Sequence, residues 1–169
     1  MDANLIILFF AYLIPLYIAN SIPILLHGKS PLDFGRKIFG KRILGDGKSI
    51  LGTLNGIIIG SLVGIIFALV IPSVFILIPE YILLAFLLAL GAMLGDITES
   101  FFKRRIGFKR GEKWLGFDQL DFVIGGLILS LLIRIPEIEI VLVLLVITIF
   151  MHIFTNIVAF KLKLKKVPW

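Results

Sequence analysis

The sequence predicts an all-α integral membrane protein with five transmembrane helices. Of the 169 residues, 59% are hydrophobic and only 17% are charged, and the mean hydropathy is +1.09. Soluble domains are typically about half apolar and about a quarter charged. The apolar residues also gather in five runs that approach the length of a bilayer crossing. Because no linker or repeat divides the chain, residues 1–169 are expected to form one domain.

The first two runs are the simplest to interpret. The first, Leu5–Leu26, follows an N-terminus without Lys or Arg and lacks a small-residue cleavage pattern, so we expect a retained helix and not a signal peptide. The second, Leu51–Ile71, carries a glycine at every fourth position. Such a ridge lets another helix approach closely, so we expect these glycines to serve packing. The four residues are Gly52, Gly56, Gly60 and Gly64.

The third and fourth runs, Tyr81–Phe102 and Asp118–Arg134, contain acids, and the fifth run is Ile138–Phe160. Uninterrupted apolar residues number 14 in positions 81–94 and 12 in positions 122–133, whereas a crossing needs about 20. The turns that carry the acids must therefore help to complete both crossings. Each acid pair has i, i+3 spacing, which places both carboxylates on one helix face. The pairs are Asp96 with Glu99 and Asp118 with Asp121, and Gly125 and Gly126 follow the second pair at a predicted close helix contact.

Basic residues set the predicted orientation. Six Lys/Arg lie in positions 29–48, six in 103–113 and four in 161–166, while only Arg134 falls on the other side. The positive-inside rule then places the N-terminus outside and both long loops and the C-terminus in the cytoplasm. The net charge of +6 would thus face anionic lipid or phosphate at the inner surface of the cell membrane.

Polar residues of the other helices cluster at the same predicted cytoplasmic end. A polar chamber between the helices is the simplest arrangement that keeps these groups away from lipid. They are Asn20, Ser21, Thr53, Asn55, His152, Thr155 and Asn156.

The residue types favour a hard metal ion and a phosphate substrate. The chain has no Cys and only His27 and His152, so clustered carboxylates favour Mg²⁺ over zinc. The segment Gly45–Ser49 resembles the end of a phosphate-binding P-loop, but Arg42 stands where that motif needs glycine. No nucleophilic triad is evident. A substrate that is itself a phosphate could attack a nucleotide's α-phosphorus directly, and the protein would then need only to position and screen two polyanions.

Two long motifs carry a resemblance to a known family. The run GDITESFFKRRIGFKRGEKWLGFDQLDFVIGG, residues 95–126, resembles the signature of archaeal CDP-archaeol synthases. The loop HGKSPLDFGRKIFGKRILGDGKSILGT, residues 27–53, is similar to that family's first cytoplasmic loop. The resemblance covers nearly the whole chain, and a more distant one extends to CDP-diacylglycerol synthases.

The resemblance implies transfer of CMP from CTP to an ether lipid phosphate, unsaturated archaetidic acid, with Mg²⁺ as cofactor and pyrophosphate as the second product. It also implies roles for individual residues. Asp96, Asp118 and Asp121 would hold the metal, with Glu99 as a fourth ligand. The expected substrate contacts are Lys103, Arg104, Arg110, Lys48 and Arg36 to phosphates, together with Ser100, Asn20 and Ser21.

Two alternatives remain open at this point. A CDP-alcohol phosphatidyltransferase also uses intramembrane aspartates, but its D-G-x-x-A-R motif is missing after Asp46-Gly47. A small cation transporter could use a carboxylate site, although the aliphatic outer halves of the helices offer no through-path. Besides CTP and the lipid phosphate, the bilayer is the expected partner, and no nucleic acid is expected to bind. Lipid tail specificity, the number of metal ions and the oligomeric state are left open.

Overall fold

The computed structural model describes residues 2–108, 112, 114 and 116–161. The described chain is mostly helical, with one small two-stranded antiparallel sheet. Its elements, in chain order, are α1 (Ala3–Leu25), β1 (Lys37–Ile38), β2 (Lys41–Arg42), α2 (Ile50–Val70), α3 (Ser73–Leu77), α4 (Tyr81–Ile106), α5 (Phe117–Ser130) and α6 (Ile138–Lys161).

All five predicted apolar segments are helical, but their lengths differ from the prediction. Helix α4 continues to Ile106, beyond the predicted end at Phe102. Helix α5 ends at Ser130, before the predicted end at Arg134, because the chain turns there and the Arg134 guanidinium donates to the Leu77 carbonyl at 2.6 Å. The small sheet and α3 were not predicted.

Within the part of the chain that the structure describes, three helices, α1, α2 and α4, are long and apolar enough to cross a membrane, and the apolar part of α6, Ile138–Phe154, is shorter. Helix α5 has only 14 residues, or about 21 Å at 1.5 Å per residue. A helical membrane protein is therefore what the structure supports.

Helix α4 lies at the centre of the molecule and packs against α1, α2 and α5. Tyr12 and Leu16 of α1 and Leu84 and Leu88 of α4 are completely buried in the core between them. The Tyr81 hydroxyl donates to the Ala11 carbonyl at 2.8 Å. These contacts hold the apolar halves of the helices together below the polar site.

The predicted glycine ridge on α2 is confirmed as a packing surface. A Cβ atom at Gly56 would lie 2.7 Å from the Ala19 carbonyl oxygen, and one at Gly64 would lie 2.7 Å from Cγ of Pro15. Both distances are shorter than van der Waals contact permits. Helices α1 and α2 can therefore approach this closely only because the ridge has no side chains.

The predicted close contact at Gly125 and Gly126 is also confirmed. Gly91 and Gly95 of α4 meet these glycines and the Asp121 backbone so closely that added Cβ atoms would collide with backbone atoms of the other helix. The crossing of α4 and α5 therefore brings the residues beside Gly95 next to those near Asp121.

The loop from residue 26 to residue 49 folds back onto the end of α4. Ser49 caps α2, since its hydroxyl accepts hydrogen bonds from the amides of Gly52 at 3.1 Å and Gly28 at 3.0 Å. The Lys48 carbonyl accepts from the Leu32 amide at 2.8 Å. These bonds hold Lys48 at the start of α2.

Candidate active site

Three carboxylates form the centre of the site. Ligand oxygens of Asp96, Glu99 and Asp121 all lie within 4.8 Å of one another. Asp96 and Glu99 share one face of α4, as their spacing predicts, and the glycine crossing brings α5 with Asp121 against them. Three oxygen donors at this separation suit a hard divalent cation such as Mg²⁺.

Two lysines flank these carboxylates. The Lys48 ammonium forms an ion pair with Asp96. Lys103 is buried, and its Nζ lies 3.1 Å from Glu99 Oε1 and 2.8 Å from Asp118 Oδ2. Each lysine therefore neutralises a carboxylate at the site, while no ion pair of Asp121 is found among the described residues.

Asp118 occupies a different position from the other three acids. Its Oδ2 accepts hydrogen bonds from Lys103 and, at 3.1 Å, from the Trp114 amide. Lys103 Nζ therefore links the Asp118 carboxylate to that of Glu99. Asp118, expected to be a metal ligand, thus borders the three-carboxylate cluster from the Lys103 side and is not one of its three members.

Three cavities meet at this centre. A polar pocket of about 340 Å³ contains all four acids together with Lys48 and Lys103. A second pocket of about 370 Å³ lies on the other side of the Lys48–Asp96 pair, toward Asn20 and His27. An apolar groove of about 650 Å³ runs between α4 and α5 and shares Glu99 and Asp121 with the first pocket. The carboxylates therefore stand where an apolar groove and a polar pocket join.

The structure brings most of the expected substrate-contact residues to these cavities. Ser100, Lys103 and Arg104 line the first polar pocket, and Asn20 lines the second. Lys48 lines both. The Arg104 guanidinium also donates to the Phe108 carbonyl at 2.6 Å.

Two residues that were expected to contact substrate do not lie at the cavities. Arg36 and Ser21 are exposed and line none of the three cavities described above. Arg36 ends the tight turn of residues 33–36, where its amide donates to the Asp33 carbonyl at 2.8 Å, and Ser21 lies on an exposed face of α1. Arg110 and the side chains of Thr155 and Asn156 lie outside the described residues.

The structure adds residues that the sequence analysis did not assign to the site. Asp46 and Gly47 line both polar pockets. Trp114 lines the apolar groove and stacks on Phe117 with a centroid distance of 4.3 Å. The glycines on both sides of Asp46 are the sequence signal that could have drawn attention to this segment, since they let the backbone approach a ligand.

Asp33 organises the segment that carries Lys48. Its buried carboxylate accepts hydrogen bonds from the Arg42 guanidinium at 2.6 and 3.1 Å and from the amides of Leu44 at 3.0 Å and Gly45 at 3.1 Å. Burial alone would raise the pKa of Asp33, but the bonds from Arg42 and the amides outweigh it and hold the pKa below the ordinary value. Asp33 therefore acts as a charged anchor for this wall of the polar pocket.

Replacing Asp33 by Asn is expected to destabilise the protein by about 2 kcal/mol at pH 7, because buried donors lose a charged acceptor. A carboxyl whose pKa is lowered on folding stabilises the fold above its unfolded pKa of about 4, and that stability is lost as the pH falls. The stability difference between wild type and Asp33→Asn should thus narrow below about pH 4. Thermal unfolding in detergent, measured from pH 7 to pH 3, checks this.

Asp46→Asn is the matched control for that series. Asp46 also pairs with Arg42, at 2.6 Å, but its side chain is 62% exposed, and exposed pairs contribute only about 0–1 kcal/mol. An equal loss of stability in Asp33→Asn and Asp46→Asn would contradict the anchoring role of Asp33.

Comparison with known proteins gives a consistent result. The family model described as "CarS-like: CDP-archaeol synthase" matches residues 3–169. A CDP-archaeol synthase of Pyrococcus horikoshii is 42% identical, with all of both chains covered. One from Methanospirillum hungatei is 42% identical over 93% of this chain and 100% of the relative.

A solved structure shares the fold. It is described as "Structural insight into an intramembrane enzyme for archaeal membrane lipids biosynthesis" and matches with a TM-score of 0.79 at 34% identity. The match covers 88% of this chain and 92% of that chain. Neither the phosphatidyltransferase nor the transporter alternative is favoured by these similarities.

Proposed function

We propose, since the chain belongs to the CDP-archaeol synthase family, that it transfers CMP from CTP to an archaeal ether lipid phosphate, unsaturated archaetidic acid. The products are CDP-archaeol and pyrophosphate. The observation that carries this proposal is the position of the carboxylate cluster, whose Glu99 and Asp121 line both an apolar groove and a polar pocket. A reaction between a lipid and a soluble nucleotide needs such a junction.

The apolar groove between α4 and α5 is the proposed lipid site. Its walls include Leu94, Phe102 and Phe117, and acids are found only at the end that joins the polar pocket. A lipid could place its phosphate at this end while its tails stay in the groove and the bilayer. The volume of about 650 Å³ falls within the usual range for ligand sites, about 300–1,000 Å³.

The first polar pocket is the proposed site for the triphosphate of CTP. Lys48 from the first loop and Lys103 and Arg104 from the end of α4 line it, and cations so placed stabilise charge that moves between phosphates during transfer. Gly45 and Gly47 leave backbone accessible beside Lys48. The cytidine moiety could extend into the second pocket, which continues past the Lys48–Asp96 pair.

The carboxylate set fits Mg²⁺. Asp96, Glu99 and Asp121 supply hard oxygen donors within 4.8 Å of one another. Bound Mg²⁺ would neutralise phosphate charge and orient the α-phosphate for attack. Asp118 could join these ligands only after Lys103, now 2.8 Å from its Oδ2, turned toward a phosphate. The two lysines therefore act as counter-ions that substrate phosphates can draw away.

The proposed reaction is an in-line displacement at phosphorus. An oxygen of the lipid phosphate forms a bond to the α-phosphorus of CTP, and the bond from that phosphorus to the bridging oxygen breaks, releasing pyrophosphate. The attacking phosphate is already ionised near neutral pH, so no base is needed. Lys48, Lys103 and Arg104 would hold the two polyanions together and stabilise the leaving pyrophosphate.

For the membrane setting we propose five crossings, with the N-terminus outside and the site open to the cytoplasm. Supporting this, the polar pockets and the loop of residues 26–49 lie at the same end of the molecule as the basic end of α4, which the positive-inside rule assigns to the cytoplasm. Pyrophosphate would leave into the cytoplasm and the lipid product into the cell membrane.

The test of this function is a transfer assay with purified protein in liposomes. CTP labelled at the α-phosphate, Mg²⁺ and an archaeal-type ether lipid phosphate are incubated, and label entering the organic phase is counted. We expect transfer that requires both the lipid phosphate and Mg²⁺. Folded protein that transfers no label with any lipid phosphate would refute the proposal.

Lys48→Met is expected to lower kcat/KM for CTP by about 10- to 100-fold, because the triphosphate pocket loses one charged hydrogen-bond donor. Binding of Mn²⁺, measured by electron paramagnetic resonance as a substitute for Mg²⁺, should be retained or tightened, because Asp96 loses a competing ammonium group. Lys29→Met, an exposed lysine of the same loop, is the control and should change neither quantity. Loss of Mn²⁺ binding in Lys48→Met would contradict the counter-ion role.

A further inference from the structure

Two turns of the first loop share an unusual sequence and geometry. The segments 33–36 and 38–41 read Asp-Phe-Gly-Arg and Ile-Phe-Gly-Lys. In each, Phe and Gly both have positive φ, 49° and 76° in the first and 51° and 76° in the second, as a type I′ turn requires. The second turn joins β1 to β2, and the first is closed by a bond of 2.8 Å from the Arg36 amide to the Asp33 carbonyl.

Phenylalanine is a poor residue for this position. Type I′ turns favour Asn, Asp or Gly at the first central residue, because a bulky side chain with positive φ is strained by about 1–3 kcal/mol. Phe34 and Phe39 gain no compensating burial within the protein, since they are 72% and 95% exposed. Turn formation and packing therefore do not explain these two side chains.

Their location in the molecule supplies an explanation. The Arg105 guanidinium donates to the carbonyls of Ile38 at 2.8 Å and Arg42 at 2.5 Å, which ties the hairpin to the end of α4. Arg105 lies about 36 Å along the helix from Tyr81, against about 30 Å for the hydrocarbon core. The hairpin is thus held at the depth of the lipid head groups.

The charge around the two rings matches that depth. Arg36, Lys37 and Lys41 are exposed beside them. The acids of residues 26–49, Asp33 and Asp46, are both paired with Arg42, so the outer surface of the hairpin is cationic. Exposed aromatic rings among cations are the combination that binds the interface of an anionic membrane.

We propose that the two Phe-Gly turns anchor the first loop in the bilayer interface, with Phe34 and Phe39 among the upper acyl chains and Arg36, Lys37 and Lys41 on anionic head groups. The anchor holds the wall of the polar pocket, residues 44–48, at a constant height above the lipid groove. The inference does not rest on the proposed reaction, because it concerns only how the loop meets the membrane.

The experiment uses the absence of cysteine from the chain. Phe39→Cys and Phe34→Cys are labelled with a nitroxide and reconstituted in vesicles with and without anionic lipid. Collisions of the label with oxygen, which concentrates in the bilayer, are compared with those of a water-soluble nickel chelate. Ser30→Cys, in the same loop, is the aqueous reference, and Ile66→Cys, exposed on α2, is the lipid reference.

In anionic vesicles, we expect the labels at 39 and 34 to collide often with oxygen and rarely with the nickel chelate, as the label at 66 does. The label at position 39 decides the test. If it collides with the nickel chelate as often as the label at position 30 does, in both kinds of vesicle, the proposal is overturned. The proposal is also overturned if the label at position 39 is shielded from the nickel chelate only when CTP is added, because the ring would then cover the nucleotide and not the lipid.

A second variant separates anchoring from turn structure. Phe39→Asn supplies a residue that the turn prefers, so its unfolding midpoint in detergent should be unchanged or higher. In anionic vesicles, trypsin should cleave the hairpin at Lys37 or Lys41 about tenfold faster than in wild type, which corresponds to the burial of one Phe side chain. Equal cleavage rates in the two proteins would count against the anchor.

Discussion

Asp121→Asn is expected to reduce CMP transfer by about 100- to 1,000-fold, the scale on which enzymes lose rate when a key electrostatic group is removed. Asp121 belongs to the three-carboxylate cluster, and it has no ion-pair partner among the described residues. The substitution therefore removes one of the proposed metal ligands without leaving a buried lysine unpaired, and folding should be retained. Turnover is measured with α-labelled CTP, and metal binding is measured separately by Mn²⁺ titration.

Asp96→Asn should abolish transfer as well, and two effects combine in it. The cluster loses a carboxylate, and Lys48 loses its ion-pair partner. Glu80→Gln provides the control, since this acid is exposed at the opposite end of α4. The metal assignment would be wrong if folded Asp121→Asn kept full turnover at ordinary Mg²⁺, or if it lost activity while binding Mn²⁺ as tightly as wild type.

Gly95→Ala is expected to cost both stability and activity. A Cβ atom at this position would collide with the carbonyl of Asp121 on α5, and the only relief is separation of the two helices. Overpacking of this kind typically costs about 1–3 kcal/mol. Separation would also move Asp96 and Glu99 away from Asp121, so transfer and Mn²⁺ binding should fall together with the unfolding midpoint.

Gly47→Ala is the matched control for the stability measurement. A Cβ atom there has nothing within 4 Å, so the same added methyl group should leave the unfolding midpoint nearly unchanged. A normal midpoint and normal Mn²⁺ binding in Gly95→Ala would show that the helix crossing does not set the distance between the carboxylates.

The helices and the acids of the site could be predicted from sequence because both depend on local patterns. Apolar runs located α1, α2, α4, α5 and α6, although α5 ends earlier than predicted. The short apolar parts of the third and fourth runs indicated that Asp96, Glu99, Asp118 and Asp121 lie near membrane depth, and i, i+3 spacing put each pair on one face. Glycines at every fourth position indicated close packing of α2, which the contacts with α1 confirm.

The pairing of lysines with individual acids, and the choice of which basic side chains line the pockets, could not be predicted in this way. Lys103 was expected to bind substrate, yet here it joins Glu99 to Asp118 and holds the latter outside the three-carboxylate cluster. Arg36 and Lys48 were equivalent candidates in one basic loop, but only Lys48 lines the polar pockets. The difference arises from the Ser49 cap and the Asp33 network, which are long-range contacts within that loop.

Composition and periodicity alone determined that this protein is a helical membrane protein whose third and fourth apolar runs carry four acids near the basic end, because hydrophobic length and helical spacing are properties of neighbouring residues. Only the tertiary structure decided which three carboxylates meet, which lysine neutralises which acid, and that an apolar groove opens onto them. Those outcomes depend on the glycine crossing of α4 and α5 and on a loop folded back over the end of α4. Ångström-scale distances between segments far apart in sequence are set by such packing and are not encoded in any single segment.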